Sequence, residues 1–145
     1  MQTLNKVLQL SSAERWLLFE TLVLLNLIRL GLVFVPFQQL RRLLARGVVR
    51  SDQLMHRVSP EHIVWAVNAV CSRIANKAKC LAQALTTQGL LSRYGYTSEL
   101  RIGVAKDCFG KLAAHAWVEY QGRIVIGGIP NLQTFTPLPA LELDP

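Results

Sequence analysis

The spacing of apolar residues along this chain changes once, near Tyr96, and that change restricts the folds open to it. Before it, apolar side chains recur every three or four residues, the period of a buried helix face. After it they alternate, the period of a strand. Helices followed by a run of strands define an α+β class with a small antiparallel sheet. Ser11 with Glu14 three positions on is a capping-box pattern, and its helix is expected to run to about Val33 and end near Pro36. Residues 38–46 form a shorter basic helix stopped at Gly47, and residues 47–58 a connector. Ser59-Pro60-Glu61 opens a third helix over residues 61–75. Its apolar face carries Ile63, Val67, Val70, Cys71 and Ile74, which places Cys71 in the core. After a break at Asn76-Lys77, a fourth helix begins at or just before Cys80 and stops at Gly95. Leu81, Leu85, Leu90 and Leu91 form its stripe, and Gly89 is a mild cost.

Beyond Tyr96, Leu100, Ile102 and Val104 alternate with Glu99, Arg101 and Gly103 as a first strand. Residues 106–111 read as a loop and residues 113–120 as a second strand. Gln121-Gly122 is a tight turn into a third strand, RIVIGG. The proline-rich tail is expected to lie over the core without regular structure. There are no internal repeats.

A chain of 145 residues has the length of one domain, and 51% hydrophobic with 17% charged residues excludes a disordered protein. The most apolar segment, residues 16–37, is interrupted by Glu20, Asn26 and Arg29, leaving only eight residues between charges. A spanning helix needs roughly 20 apolar residues, so buried or interfacial helices are expected instead. The first 15 residues lack the continuous apolar core of a signal peptide. The net charge of +7 is concentrated at the front: residues 1–60 carry eight basic and three acidic side chains, the remainder eight and six. No recognition-helix or aromatic-interleaved basic pattern accompanies it, so nucleic acid is not an expected partner.

Three cysteines, Cys71, Cys80 and Cys108, without C-x-x-C spacing argue against a disulfide framework and against a zinc site. Each is by default a small buried hydrophobe. Cys80 differs, because the N–H groups and dipole of a helix N-terminus favour an anion, and Lys77 and Lys79 lie just upstream. His115, with Trp117 and Glu119 on the same strand face, is the second candidate. A cysteine opening a helix, followed by a histidine on a later strand, is the layout of papain- and transglutaminase-type thiol enzymes. There histidine takes the thiol proton and later protonates the leaving amine. Cys108 reads as a spare loop cysteine, and His56 and His62 as surface or capping residues.

The chain resembles the leader peptidases of lasso-peptide biosynthesis, a transglutaminase-like cysteine protease family, in the form where the peptidase is a separate short protein. The resemblance rests on Ala13-Glu14-Arg15-Trp16-Leu17-Leu18, Arg29-Leu30, Pro36-Phe37 and Leu40-Arg41-Arg42-Leu43 in the N-terminal part. In the second half it rests on Cys80-Leu81, Leu90-Leu91, Gly95 and Glu99-Leu100-Arg101-Ile102-Gly103-Val104. It continues through Ala114-His115-Ala116-Trp117-Val118-Glu119, Gly122-Arg123 and Ile126-Gly127-Gly128. The resemblance implies removal of the leader from a ribosomally made precursor, with Cys80 as nucleophile and His115 as base. It implies no cofactor and no metal. Its implied partners are the precursor peptide, a separate leader-binding protein and an ATP-dependent, asparagine-synthetase-like cyclase that closes a macrolactam on the freed amine.

A third residue to hold the imidazole is not identified. If Gln121-Gly122 is the turn, Gly127 and Gly128 face His115, and neither has a side chain. Glu119 lies four residues on, roughly 13 Å by strand rise. Asp107 and Asn131 would have to reach back from loops, and the alternative is a dyad oriented by a backbone carbonyl or water. The backbone N–H of Cys80 would supply part of an oxyanion hole. Residues 76–145 are expected to hold the peptidase core, with residues 1–75 a helical region packed on it. That region offers plain packing, a docking face for partners or, through Arg41, Arg42 and Arg46, peripheral contact with an anionic membrane. The expected location is cytoplasmic. Another transglutaminase-fold acyl transfer and a non-catalytic adaptor are the alternative readings.

Overall fold

The computed structural model describes residues 5, 8–47, 57–74 and 80–138. Most of the expected connector, the Asn76-Lys77 break, His56, Lys77, Lys79 and the last seven residues lie outside the described residues, as does the side chain of Arg46. Among the described residues, four complete helices precede four strands: α1 (Ser12–Phe34), α2 (Phe37–Gly47), α3 (Pro60–Arg73) and α4 (Cys80–Arg93), then β1 (Glu99–Lys106), β2 (Leu112–Tyr120), β3 (Arg123–Ile126) and β4 (Thr136–Pro137). The sheet is antiparallel in the order β3-β2-β1-β4.

The expected caps account for the helix ends. Glu14 N–H donates to Ser11 Oγ at 3.2 Å while Ser11 N–H donates to the Glu14 carboxylate at 2.8 Å, closing the capping box. These bonds to Ser11 hold the Glu14 carboxyl below the ordinary carboxylate range. Ser59 caps α3 by accepting from His62 N–H, with Pro60 in the first turn. Beyond α4, Gly95 N–H donates to Ser92 and Tyr96 N–H to Leu91, the paired bonds of a glycine-terminated helix.

One core draws on every layer. Leu17, Leu25 and Ile28 of α1 and Ile63 and Val67 of α3 meet Leu85, Leu90 and Leu91 of α4, which in turn packs on the sheet through Leu100, Ala116, Val118 and Ile126. Each fully buried aliphatic side chain contributes about 1.5–3 kcal/mol. Thr21, Thr86 and Thr87 enter this core because each hydroxyl donates to the carbonyl four residues back. Cys71 packs against the core but is only half-buried. Gly89 has room for a methyl, its nearest neighbour being Leu24 Cδ2 at 3.5 Å from the Cβ position. Gly89→Ala is therefore expected to raise unfolding stability by about 0.5–1 kcal/mol in a denaturant titration.

By length and composition alone α1 could cross a bilayer. One side of it is committed to the core through Leu17, Thr21, Leu25 and Ile28, whereas Trp16, Phe19, Leu27, Leu30 and Phe34 are exposed. Glu20 joins α1 to the end of α4: Tyr94 Oη donates to Glu20 Oε2 at 2.8 Å, and Arg93 Nε lies 2.6 Å from Oε1 as an ion contact. Burial, reinforced by that bond, pushes the Tyr94 hydroxyl well above the ordinary phenol range.

The tail differs from its expected form. Leu132–Thr134 make a 3₁₀ turn, and Thr136–Pro137 pair with β1 at Gly103 and Val104. Proline is tolerated there because β4 is an edge strand.

Candidate active site

Cys80 is the first residue of α4 and is half-buried. Its helix is fixed by the core contacts of Leu85, Leu90 and Leu91, and that packing sets the position of the thiol. Its own N–H belongs to the first turn, whose N–H groups have no partner within the helix.

His115 lies on β2 opposite Gly103 of β1. Trp117 stacks beside the imidazole, with centroids 6.3 Å apart and planes 19° from parallel, and Phe135 from the tail covers it at 5.7 Å. Nε2 is 2.6 Å from the carbonyl oxygen of Gly127. A carbonyl can only accept, so Nε2 carries the proton and the neutral ring keeps its lone pair on Nδ1.

Thiol and imidazole are carried by packed elements, α4 and β2, but no hydrogen bond joins them. Ala116 and Val118 are the β2 residues in the core against α4, while His115 shares the alternate face with Trp117.

The loop and strand acids have other partners. Glu119 Oε1 accepts from Trp117 Nε1 at 3.0 Å, and its Oε2 is 3.8 Å from Arg101 Nε. Asp107 Oδ1 accepts from the N–H groups of Phe109 and Lys111, which ties off the β1–β2 loop. Asn131 precedes the 3₁₀ turn and accepts from Thr134 through its backbone carbonyl. None of the three bonds to His115. Cys71 is half-buried on α3, and burial pushes its thiol up, with Arg29 opposing. Cys108 is exposed in the β1–β2 loop. His62 Nδ1 is 3.0 Å from Ser59 Oγ, a place at the α3 cap as expected. Among the described residues no three His, Cys, Asp or Glu side chains come together as metal ligands.

One neighbour of His115 was not expected: Phe135 arrives with the tail, and its only sequence signal is an aromatic residue in a proline-rich segment. Gly127 was expected to face His115, and it is the backbone carbonyl of that residue that meets the ring. A bulge between Val118 and Glu119 shifts the β2–β3 register, pairing Val118 with Ile126, and Gly127 follows close against the backbone of Ala116 and Trp117.

A helix-opening cysteine and a strand-borne histidine on a four-strand antiparallel sheet define the class of thiol-dependent acyl-transfer folds. Residues 22–140 match the transglutaminase-like superfamily, and the chain belongs to it. The match begins inside α1 and reaches beyond β4, so α2, α3 and α4 all fall within it together with the sheet. The superfamily fold is of the cysteine-protease and acyltransferase type. Comparison with curated proteins and with solved structures gives no match.

Proposed function

We propose that this chain is a cysteine peptidase that removes the leader from a ribosomally made lasso-peptide precursor, with Cys80 as nucleophile and His115 as general base and acid. The observation that carries this reading is the imidazole. Its Nε2 is engaged by Gly127, which leaves Nδ1 free to take a proton, within a superfamily domain whose fourth helix opens on a cysteine. His115 lies on the face of β2 away from the one packed on α4, so this reading requires the imidazole and the Cys80 thiol to be brought together when substrate binds.

The thiol proton passes to His115 Nδ1 as Sγ attacks the scissile carbonyl. The tetrahedral oxyanion is met by the backbone N–H of Cys80. Collapse breaks the C–N bond, and Nδ1–H protonates the departing amine, which becomes the N-terminus of the core peptide. Water then hydrolyses the thioester on the leader. The resemblance to lasso-peptide leader peptidases supports a leader-binding protein and an ATP-dependent cyclase as partners, the cyclase consuming the freed amine. Free thiols suit a cytoplasmic location. The exposed apolar side of α1 and the basic α2 suit a peripheral role at an anionic membrane.

The test incubates precursor with the protein and the leader-binding protein and reads the products by mass. Free leader and free core are expected. A ligated leader–amine product would identify amide transfer instead, and an intact precursor would favour the adaptor reading.

A further inference from the structure

Histidines that work with a thiol need one ring nitrogen fixed so that the other faces the reaction, a task commonly given to an acid or amide side chain. Here no described side chain does it. Glu119 is committed to Trp117 and Arg101, and Asp107 to its own loop. The group in place is the main-chain carbonyl of Gly127, 2.6 Å from Nε2.

The backbone at this point is built to deliver that carbonyl. Gly127 has φ +82°, a conformation that L side chains rarely adopt. A Cβ there would lie 2.6 Å from the Ala116 carbonyl oxygen and 2.9 Å from Trp117 Cα, both main-chain atoms that cannot swing aside. The β2–β3 bulge and the missing side chain together let the strand end press against β2, where its carbonyl meets the ring.

We infer that the Gly127 carbonyl is the positioning group of the site. It holds His115 in the Nε2–H tautomer and leaves Nδ1 as the proton acceptor of the ring, in the place of a third acidic residue. Its catalytic consequence rests on the peptidase reading, but the ring assignment does not. Gly127 is a positioning residue, since it acts only through His115.

The test is long-range proton–nitrogen correlation on the ¹⁵N-labelled full chain at a pH where the ring is neutral, with His115→Gln used to assign its signals. The wild type is expected to show a pyrrole-type Nε2 and a pyridine-type Nδ1. An Nδ1–H tautomer overturns the inference. Gly127→Ala is expected to lose the single tautomer and lower kcat about 10²-fold with KM unchanged, the scale of a roughly 1 Å misplacement. Gly128→Ala has room, with Ile124 Cγ2 at 3.6 Å, and is expected to change neither readout. A folded Gly127→Ala protein with wild-type tautomer and kcat also overturns the inference. If Gly127→Ala does not fold, the wild-type spectrum decides alone. A wild type that shows the Nε2–H ring yet cleaves no precursor defeats the peptidase reading and leaves the ring assignment standing.

Discussion

Cys80→Ala is expected to abolish leader cleavage, and His115→Ala to lower it by about 10²–10⁴-fold, the range that a positioned general acid–base supplies. The two groups serve one proton transfer, so the double variant is expected to be no slower than Cys80→Ala alone. Neither change should unfold the chain. Cys80 is only half-buried at a helix end, and His115 is half-buried on the face of β2 away from the main core. The other thiols provide internal controls. Cys71 sits half-buried against the core with its thiol pushed up by burial, so it is expected to alkylate slowly at neutral pH. Cys108 is exposed in a loop, and Cys108→Ser is expected to leave cleavage unchanged. Equal cleavage by wild type and Cys80→Ala, measured as free core peptide over time, would remove the nucleophile and the peptidase reading with it. Activity retained by His115→Ala but lost with Cys80→Ala would assign the proton transfer to another group.

Much of this architecture is written in local chemistry. Ser11 and Glu14, Ser59 and Pro60, and Gly95 mark helix ends through bonds within a few residues, and those ends fall where expected. Gln121 and Gly122 both take positive φ, +50° and +75°, the geometry of a tight hairpin turn, so the β2–β3 connection was equally legible. Cys80 as the first residue of its helix and His115 on β2 follow from the same local reading. What escaped is long-range. The pairing of Thr136–Pro137 with β1 joins residues more than thirty positions apart, and nothing in a proline-containing pair announces a strand. The bulge at Val118/Glu119 shifts the register by one residue, and a simple count back from the turn misses it. The orienting group of His115 is a main-chain carbonyl, which no pattern of side chains can display. Its trace was a glycine where an acid was sought.

Trp117→Ala is expected to be among the most damaging single substitutions in the sheet, costing about 3–5 kcal/mol of unfolding stability. The indole is 4% exposed, yet it is not part of the main core; it fills the opposite face of the sheet. Its neighbours are arranged around its bulk. A Cβ on Gly103 would lie 2.9 Å from the indole and 3.0 Å from Phe135 Cβ, so β1 comes close because that residue has no side chain. Loss of the ring opens a space beneath Gly103 and leaves Glu119 without its 3.0 Å donor. The same change removes the surface against which the imidazole stacks, so ring order and fold stability should fall together. Trp117→Phe separates the two effects. It keeps an aromatic ring beside His115 but loses volume and the Nε1–H bond, and is expected to cost about 1–2 kcal/mol, near the value of one partly buried hydrogen bond with modest repacking. Urea titrations read both variants, with midpoints shifted and slopes unchanged. A wild-type midpoint for Trp117→Ala would mean that this face of the sheet contributes little to the fold, and that Phe135 and the tail do not need the indole to stay in place.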